Sequence, residues 1–460
     1  MSSELEIRSP IDDTVVGSIP ALTVSDVGDA YQAAAAAQRE WSATDTNART
    51  ALLGKLSASL REHCEELAGL LTQEVGKTPE EAASEITRSA DLIDATAAEY
   101  QALADMTIRS EDFPGTPAGR VQRVRRVPIG VVLAIAPFNY PINLSVSKIA
   151  PALAMGNAVV FKPPTQGSVV ARRMVELWAD AVPANLVRVV TGKTADIGDR
   201  LVTDDAVGMV ALTGSTAVGQ RIAKQVGMVP LLLELGGNDP ALVLDDADVA
   251  LAAQHIVGGA FKYAGQRCTA VKRVYVAGAL ADDLTAAIAA ETAKRFGSSG
   301  DPREHPVGPV ISDEQASYLD ELLDDAKAKG GKVVAGGSRD GRNWDATVVS
   351  GLTHGARLVT EEQFGPLLPI VSVSDDDEAV RLANDTHYGL QASVFSADPM
   401  RAERVAERIE AGGVHLNGPD QRGPDNFMFT GYKHSGMGVQ GVRFALDAMS
   451  KPQGIVRNDA

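Results

Sequence analysis

VVLAIAPFNYP, Val131 to Pro141, runs from an uninterrupted apolar segment straight into Phe138, Asn139 and Tyr140. A strand that is apolar at every position, not at every second one, has both faces covered, as strands of parallel sheets do. NAVVFKPP, NLVRVVTG, VGMVALTG and PLLLELGG repeat the pattern with helix-like segments between them, which predicts a parallel α/β sheet. Ligands of such sheets lie beyond the carboxyl ends of the strands, so the first polar residues after each run become candidates. These are Asn139 and Tyr140, then Lys162, then Thr213, Gly214 and Ser215, then Glu234.

Outward from this core, the first 105 or so residues read as mostly helical. VSDVGDAYQAAAAAQREW and ARTALLGKLSASLREHCEELAGLLTQEV show three-and-four apolar spacing, and Cys64 falls in the second as a packing residue. RVQRVRRVP, Arg120 to Pro128, alternates apolar and charged residues and reads as an exposed or edge strand, a surface hairpin or an oligomerisation arm. A second α/β region starts near Asn238, with RVYVAG, GKVVAGG, LPIVSV and SVFS as strands.

With 460 residues, 45% of them hydrophobic, the chain can fill two or three cores. Its two cysteines exclude a disulfide framework, and no apolar run reaches the length of a membrane span or a signal peptide. A soluble cytoplasmic protein is expected. The formal charge of -17 argues against nucleic-acid or anionic-membrane partners. It also means that a phosphate-bearing ligand needs local cations. Seven histidines (His63, His255, His305, His354, His387, His415 and His434) show no metal-ligand pairing, so no metal is expected.

TGSTAVG, Thr213 to Gly219, opens a helix whose N-terminal amides suit a pyrophosphate, although it is not G-x-G-x-x-G. Lys162 can reach a ribose or phosphate oxygen of the same ligand. Three residues on stands Thr165, where an NAD site would place an acid on the ribose hydroxyls; without it a 2′-phosphate is not repelled, which favours NADP and leaves NAD open. Cys268, in GQRCTA, is the candidate nucleophile. A thiol needs a cation or a base to become thiolate, and Arg267 offers the first, Glu234 the second. Glu234, at the end of an apolar strand, is expected to be desolvated toward general-base character. The Asn139 side-chain amide and the Cys268 backbone N–H would serve an oxyanion. Arg267 and Cys268 can share a pocket only if GQRCTA is a loop or a helix start.

APFNYP, FKPP, LTGSTAVG, LELGG, GQRCTA and EEQFGP, in this order, resemble the NAD(P)-dependent aldehyde dehydrogenase superfamily from Ser9 and Pro10 to the C-terminus. The resemblance implies an α/β fold: a Rossmann-type coenzyme domain (1–105 and 129–235), an α/β catalytic domain (236–444) and a small β oligomerisation element (106–128 and 445–460), assembling as homodimers or homotetramers. It puts the nucleophile on Cys268, the base on Glu234 and the oxyanion amide on Asn139. The implied cofactor set is Ala136, Lys162, Thr165, Asp199, Gly214, Ser215, Gly219, Glu362 and Phe364.

Within the superfamily, PFNYPINLSVSKIAPAL, FKPPTQGS, GQRCTAVKRV and QRGPDNFMF are most similar to non-phosphorylating glyceraldehyde-3-phosphate dehydrogenases. That group implies Arg88, Tyr140, Arg267 and Arg422 on the substrate phosphate, with Asn139 and Thr269 completing the substrate set. Three guanidinium groups suit one dianion. The reaction expected is oxidation of an aldehyde to a carboxylate through a cysteine thioester. Lactaldehyde or succinate semialdehyde as substrate, and a cofactor-independent thiol hydrolase or esterase, are the competing readings. Asn238 and the glycines and proline of HLNGPDQRG depart from the group's usual pattern near the pocket.

Overall fold

Burial of both faces, not alternation, shapes this chain. The computed structural model describes residues 4–297 and 307–458, so His305 lies outside the described residues. The chain opens with a hairpin, β1 (Glu4–Arg8) and β2 (Val15–Pro20), ahead of the helical region. Helices α1 (Val24–Ser42), α2 (Thr46–Glu62), α3 (Cys64–Val75) and α4 (Pro79–Ala102) follow. The second helical pattern is therefore two helices, broken at His63 (φ -104°, ψ 23°), whose Nδ1 lies 2.9 Å from the Ser59 carbonyl oxygen. Cys64 opens α3 half-buried, its thiol packed toward the Ala83 carbonyl.

After β3 (Met106–Arg109) and β4 (Arg120–Pro128) come β5 (Val131–Ile135), α5 (Asn143–Ala154), β6 (Ala158–Lys162), α6 (Ser168–Leu177), β7 (Val187–Val189), α7 (Thr194–Thr203), β8 (Val207–Thr213), α8 (Thr216–Gln225) and β9 (Leu231–Glu234). Strands β5 to β9 form a parallel sheet in the order β9-β8-β5-β6-β7, with Gly436–Met437 added antiparallel to β9. From β5 the chain steps to β6 on one side and later returns to β8 on the other. Their carboxyl ends diverge there, and a ligand crevice opens.

A second unit follows with β10 (Pro240–Val243), α9 (Val249–Phe261), β11 (Arg273–Ala277) and α10 (Ala281–Phe296). Its seven-stranded sheet runs Lys332–Ala335, Thr347–Leu352, Leu367–Val373, β11, β10, Gln391–Phe395, Gly413–Leu416, parallel except for the first pair. The buried apolar residues split accordingly into two cores, the change falling between Leu235 and Ala241. Val442, Leu446 and Met449 return to the first core.

The basic segment Arg120–Pro128 is not an edge. It is the middle strand of a three-stranded antiparallel sheet, between β3 and Ser450–Asn458. Met106, Ile108, Ile455 and Val456 stay exposed on this sheet. Among the described residues no helix is long and apolar enough to cross a membrane.

One buried ion pair fastens the loop after β5. Lys77 and Glu85 meet with side chains 1% and 0% exposed. Glu85 Oε1 accepts the backbone N–H groups of Ile142 (2.9 Å) and Asn143 (3.0 Å), while Lys77 Nζ lies 3.6 Å above the Tyr140 ring. Lys77→Met leaves a sealed carboxylate without its cation; we expect a loss of about 3–5 kcal/mol, seen as a lower urea midpoint at unchanged slope. A midpoint equal to wild type would show that the pair does not hold this loop.

Candidate active site

The carboxyl ends of β5, β8 and β9 and the loop after α9 converge on one place. Beyond β5 lie Phe138, Asn139 and Tyr140, β8 ends in Thr213, β9 ends in Glu234, and the loop carries Arg267 and Cys268. The loop has three consecutive positive φ angles, at Tyr263 (53°), Ala264 (50°) and Gly265 (67°). A Cβ on Gly265 would meet the Gly365 carbonyl oxygen at 2.4 Å, so only glycine passes. Lys272 Nζ then pins the loop by donating to the carbonyls of Arg267 (2.8 Å) and Cys268 (3.0 Å). This irregular backbone turns the adjacent Arg267 and Cys268 into the same cavity.

Two cavities meet at Cys268. The larger, about 730 Å³, is bordered by Asn139 and lined by Ala136, Lys162, Thr165, Asp199, Gly214, Ser215, Glu362 and Phe364, these eight being the expected cofactor set with one exception. Gly219 does not line it. A Cβ there would stand 2.4 Å from Leu235 Cδ2, so this glycine serves the close approach of α8 to the chain after β9. The smaller cavity, about 330 Å³, gathers Arg88, Tyr140, Glu234, Arg267, Thr269 and Arg422. Among the described residues no cluster of three metal-ligating side chains occurs.

Hydrogen bonding sharpens each role. Glu234, 2% exposed, accepts from Thr213 Oγ1 (3.0 Å), from the Cys268 thiol (3.3 Å) and from Arg422 Nη1 (2.7 Å). Its desolvation is thus offset by an ion pair that sequence spacing did not reveal. Burial pushes the Cys268 thiol well up, and the Glu234 carboxylate adds to this; Lys272 and Arg422 are the cations that oppose it. Arg267 is engaged elsewhere. Its Nη2 donates to the Gly259 carbonyl, and its Nε is buried without a partner. One N–H of the Asn139 amide holds the Gln266 carbonyl (2.9 Å), which leaves the second for an oxyanion.

Several members of the site are invisible to motif reading. Lys148, inside the apolar helix α5, donates to Thr213 Oγ1 (2.7 Å), and burial takes its amine down to about 7. A lysine amid SVSKIAPAL was the available signal. Asp239 and Asp420 are buried together, and burial lifts Asp420 to about 7. In the larger cavity Lys162, brought down to about 8 by burial, donates to the Pro163 carbonyl (3.0 Å). Asp199 is held by Arg221 (2.6 Å) and Gln225 (2.9 Å), so it meets any ligand as part of a neutralised group. Ser215 caps α8, and Gly214, Ser215 and Val218 at that helix's start line the crevice. No carboxylate is found at Thr165. A pyrophosphate at α8 with a 2′-phosphate near Lys162 and Arg221 fits these donors.

Comparison with known proteins gives the family. The model of the aldehyde dehydrogenase family matches residues 1–455. An NADP-dependent glyceraldehyde-3-phosphate dehydrogenase of Streptococcus equinus is 41% identical over 449 residues, covering 97% of this chain and 94% of that one. One from Triticum aestivum is 40% identical over 444 residues, covering 96% and 89%. The crystal structure of the NADP-dependent glyceraldehyde-3-phosphate dehydrogenase of Bacillus halodurans C-125, complexed with NADP, superposes with a TM-score of 0.98 at 43% identity, covering 100% of this chain and 96% of that one.

Thiol reactivity tests the electrostatics. Glu234→Gln removes the neighbouring negative charge and frees Arg422, so the Cys268 pKa falls and alkylation by iodoacetamide at pH 7 accelerates, about tenfold for each unit. Equal or slower alkylation would show that Glu234 does not hold the thiol in its protonated form.

Proposed function

The chain belongs to the aldehyde dehydrogenase family, and we propose that it oxidises glyceraldehyde 3-phosphate to 3-phosphoglycerate with NADP, without inorganic phosphate. The observation that carries this reading is Cys268 at the junction of a dinucleotide-sized cavity and a smaller one rich in cations.

The residues divide the work as follows. Cys268 Sγ adds to the aldehyde carbon, and its proton passes to Glu234, already 3.3 Å away. The alkoxide so formed is met by the free Asn139 N–H and the Cys268 backbone N–H, each donor lowering the barrier by about 3 kcal/mol. NADP, when bound, accepts the hydride that leaves this adduct, so that an acyl thioester stands on Cys268. Glu234 gives that first proton up to solvent and, a carboxylate again, takes one from water; the hydroxide attacks the thioester carbon, and the C–S bond breaks so that the product acid leaves and the Cys268 thiolate is regenerated. Arg422 Nη1 (2.7 Å) and Thr213 Oγ1 (3.0 Å) both donate to Glu234 Oε2, which leaves Oε1 toward the thiol. Lys162, Thr165, Gly214 and Ser215 would hold the cofactor's adenosine half, with Glu362 and Phe364 near its other end. Arg88, Tyr140, Arg267, Thr269 and Arg422 face the substrate.

Purified protein is expected to reduce NADP with glyceraldehyde 3-phosphate in phosphate-free buffer. Cys268→Ala should abolish this, and Asn139→Ala should lower kcat by about 10²-fold or more. Preferred turnover of a short unphosphorylated aldehyde, or activity surviving in Cys268→Ala, would overturn the assignment.

The three-stranded sheet with its exposed Met106, Ile108, Ile455 and Val456 supports its use as an oligomerisation element, in a homodimer or homotetramer. Removing residues 450–460 should shift the sedimentation mass to that of a monomer. An unchanged mass would place the subunit contact elsewhere.

A further inference from the structure

Two cations that no motif singled out line the smaller cavity, Lys262 and Arg295. Gln254, Gly258 and Lys262 are four residues apart, along one face of α9 and the position just beyond its end, and that face borders the cavity. Arg295 comes from the last turn of α10. Its Nη1 is 2.8 Å from where a Cβ on Gly258 would stand, so this glycine leaves the notch in which the guanidinium rests.

The guanidinium groups expected to bind a phosphate are largely engaged. Arg88 Nε and Nη2 each lie 3.0 Å from an Asp425 oxygen, and Arg422 is paired with Glu234. A dianion would have to compete with carboxylates for both. Arg267 remains, buried, with its Nε unused. Lys262 is exposed, and among the described residues no carboxylate stands within ion-pair distance of it. Among the described residues Arg295 is tied only to Glu291, on its own helix. In a chain of net charge -17, Lys262, with no carboxylate beside it, and Arg295, paired to Glu291 on its own helix, concentrate at the cavity wall an anionic reactant that the rest of the surface repels.

We propose that Lys262 and Arg295, together with Arg267, form the wall that receives the phosphate of the aldehyde, and so act as specificity-determining residues. The proposal rests on the substrate reading given above. A charge-assisted contact of this kind corresponds to about tenfold or more in affinity.

The test uses Lys262→Gln, Arg295→Gln and the double variant. KM for glyceraldehyde 3-phosphate should rise about tenfold per substitution at nearly constant kcat, with a much smaller change for glyceraldehyde and a shallower salt dependence. Lys262→Arg should recover most of the loss, which a merely structural role would not predict. Inorganic phosphate, assayed as a competitive inhibitor with glyceraldehyde as substrate, reads the same wall independently: its Ki should rise about tenfold in each variant. If wild type shows no preference for the phosphorylated aldehyde while the Ki shift persists, the substrate reading falls and the anion-binding wall stands. A double variant with wild-type KM and wild-type Ki overturns the proposal.

Discussion

The ion pair between Glu234 and Arg422 joins the two halves of the molecule. Glu234 ends a strand of the first sheet, whereas Arg422 lies in the segment that follows the last strand of the second. Glu234 is sealed from solvent, whereas the Arg422 side chain is 12% exposed at the cavity wall, so it is the carboxylate that requires its partner. The same carboxylate holds the thiol, and the same guanidinium faces the substrate cavity. Packing of the two sheets and readiness of the nucleophile therefore depend on one contact.

Much of the fold was legible because its strands are short, wholly apolar and followed by polar residues. Asn139, Lys162, Thr213 and Glu234 could be located by that rule alone, and the six ordered motifs supplied the nucleophile. What the sequence withheld are contacts between residues far apart in it. Nothing near Glu234 announces Arg422, 188 positions on. The break at His63 interrupts a pattern whose apolar period continues on both sides. Gly219, placed in the cofactor set by the resemblance, stands where α8 packs closely on Leu235, and a tight helix approach and a tight ligand approach demand the same residue. Arg120–Pro128 looked like an edge since its alternation reports exposure of a face, not the number of neighbouring strands.

Charge is distributed with a purpose that net composition hides. The surface is acidic, yet the substrate cavity collects Arg88, Arg267, Arg422, Lys262 and Arg295 around a single thiol. Because burial and Glu234 keep that thiol protonated, the nucleophile is held in reserve.

The strand at Ser450–Asn458 pairs along the full length of β4, more than three hundred residues earlier, and Gly436–Met437 completes the edge of the first sheet. Arg422 reaches the site from the same late part of the chain. At about 5–20 residues per second, ribosomal synthesis leaves β4 waiting for tens of seconds with its backbone donors open. The nascent chain thus carries an assembled nucleotide-type sheet long before it carries a working site, and the interval is one in which unpaired strand edges must be kept from other nascent chains.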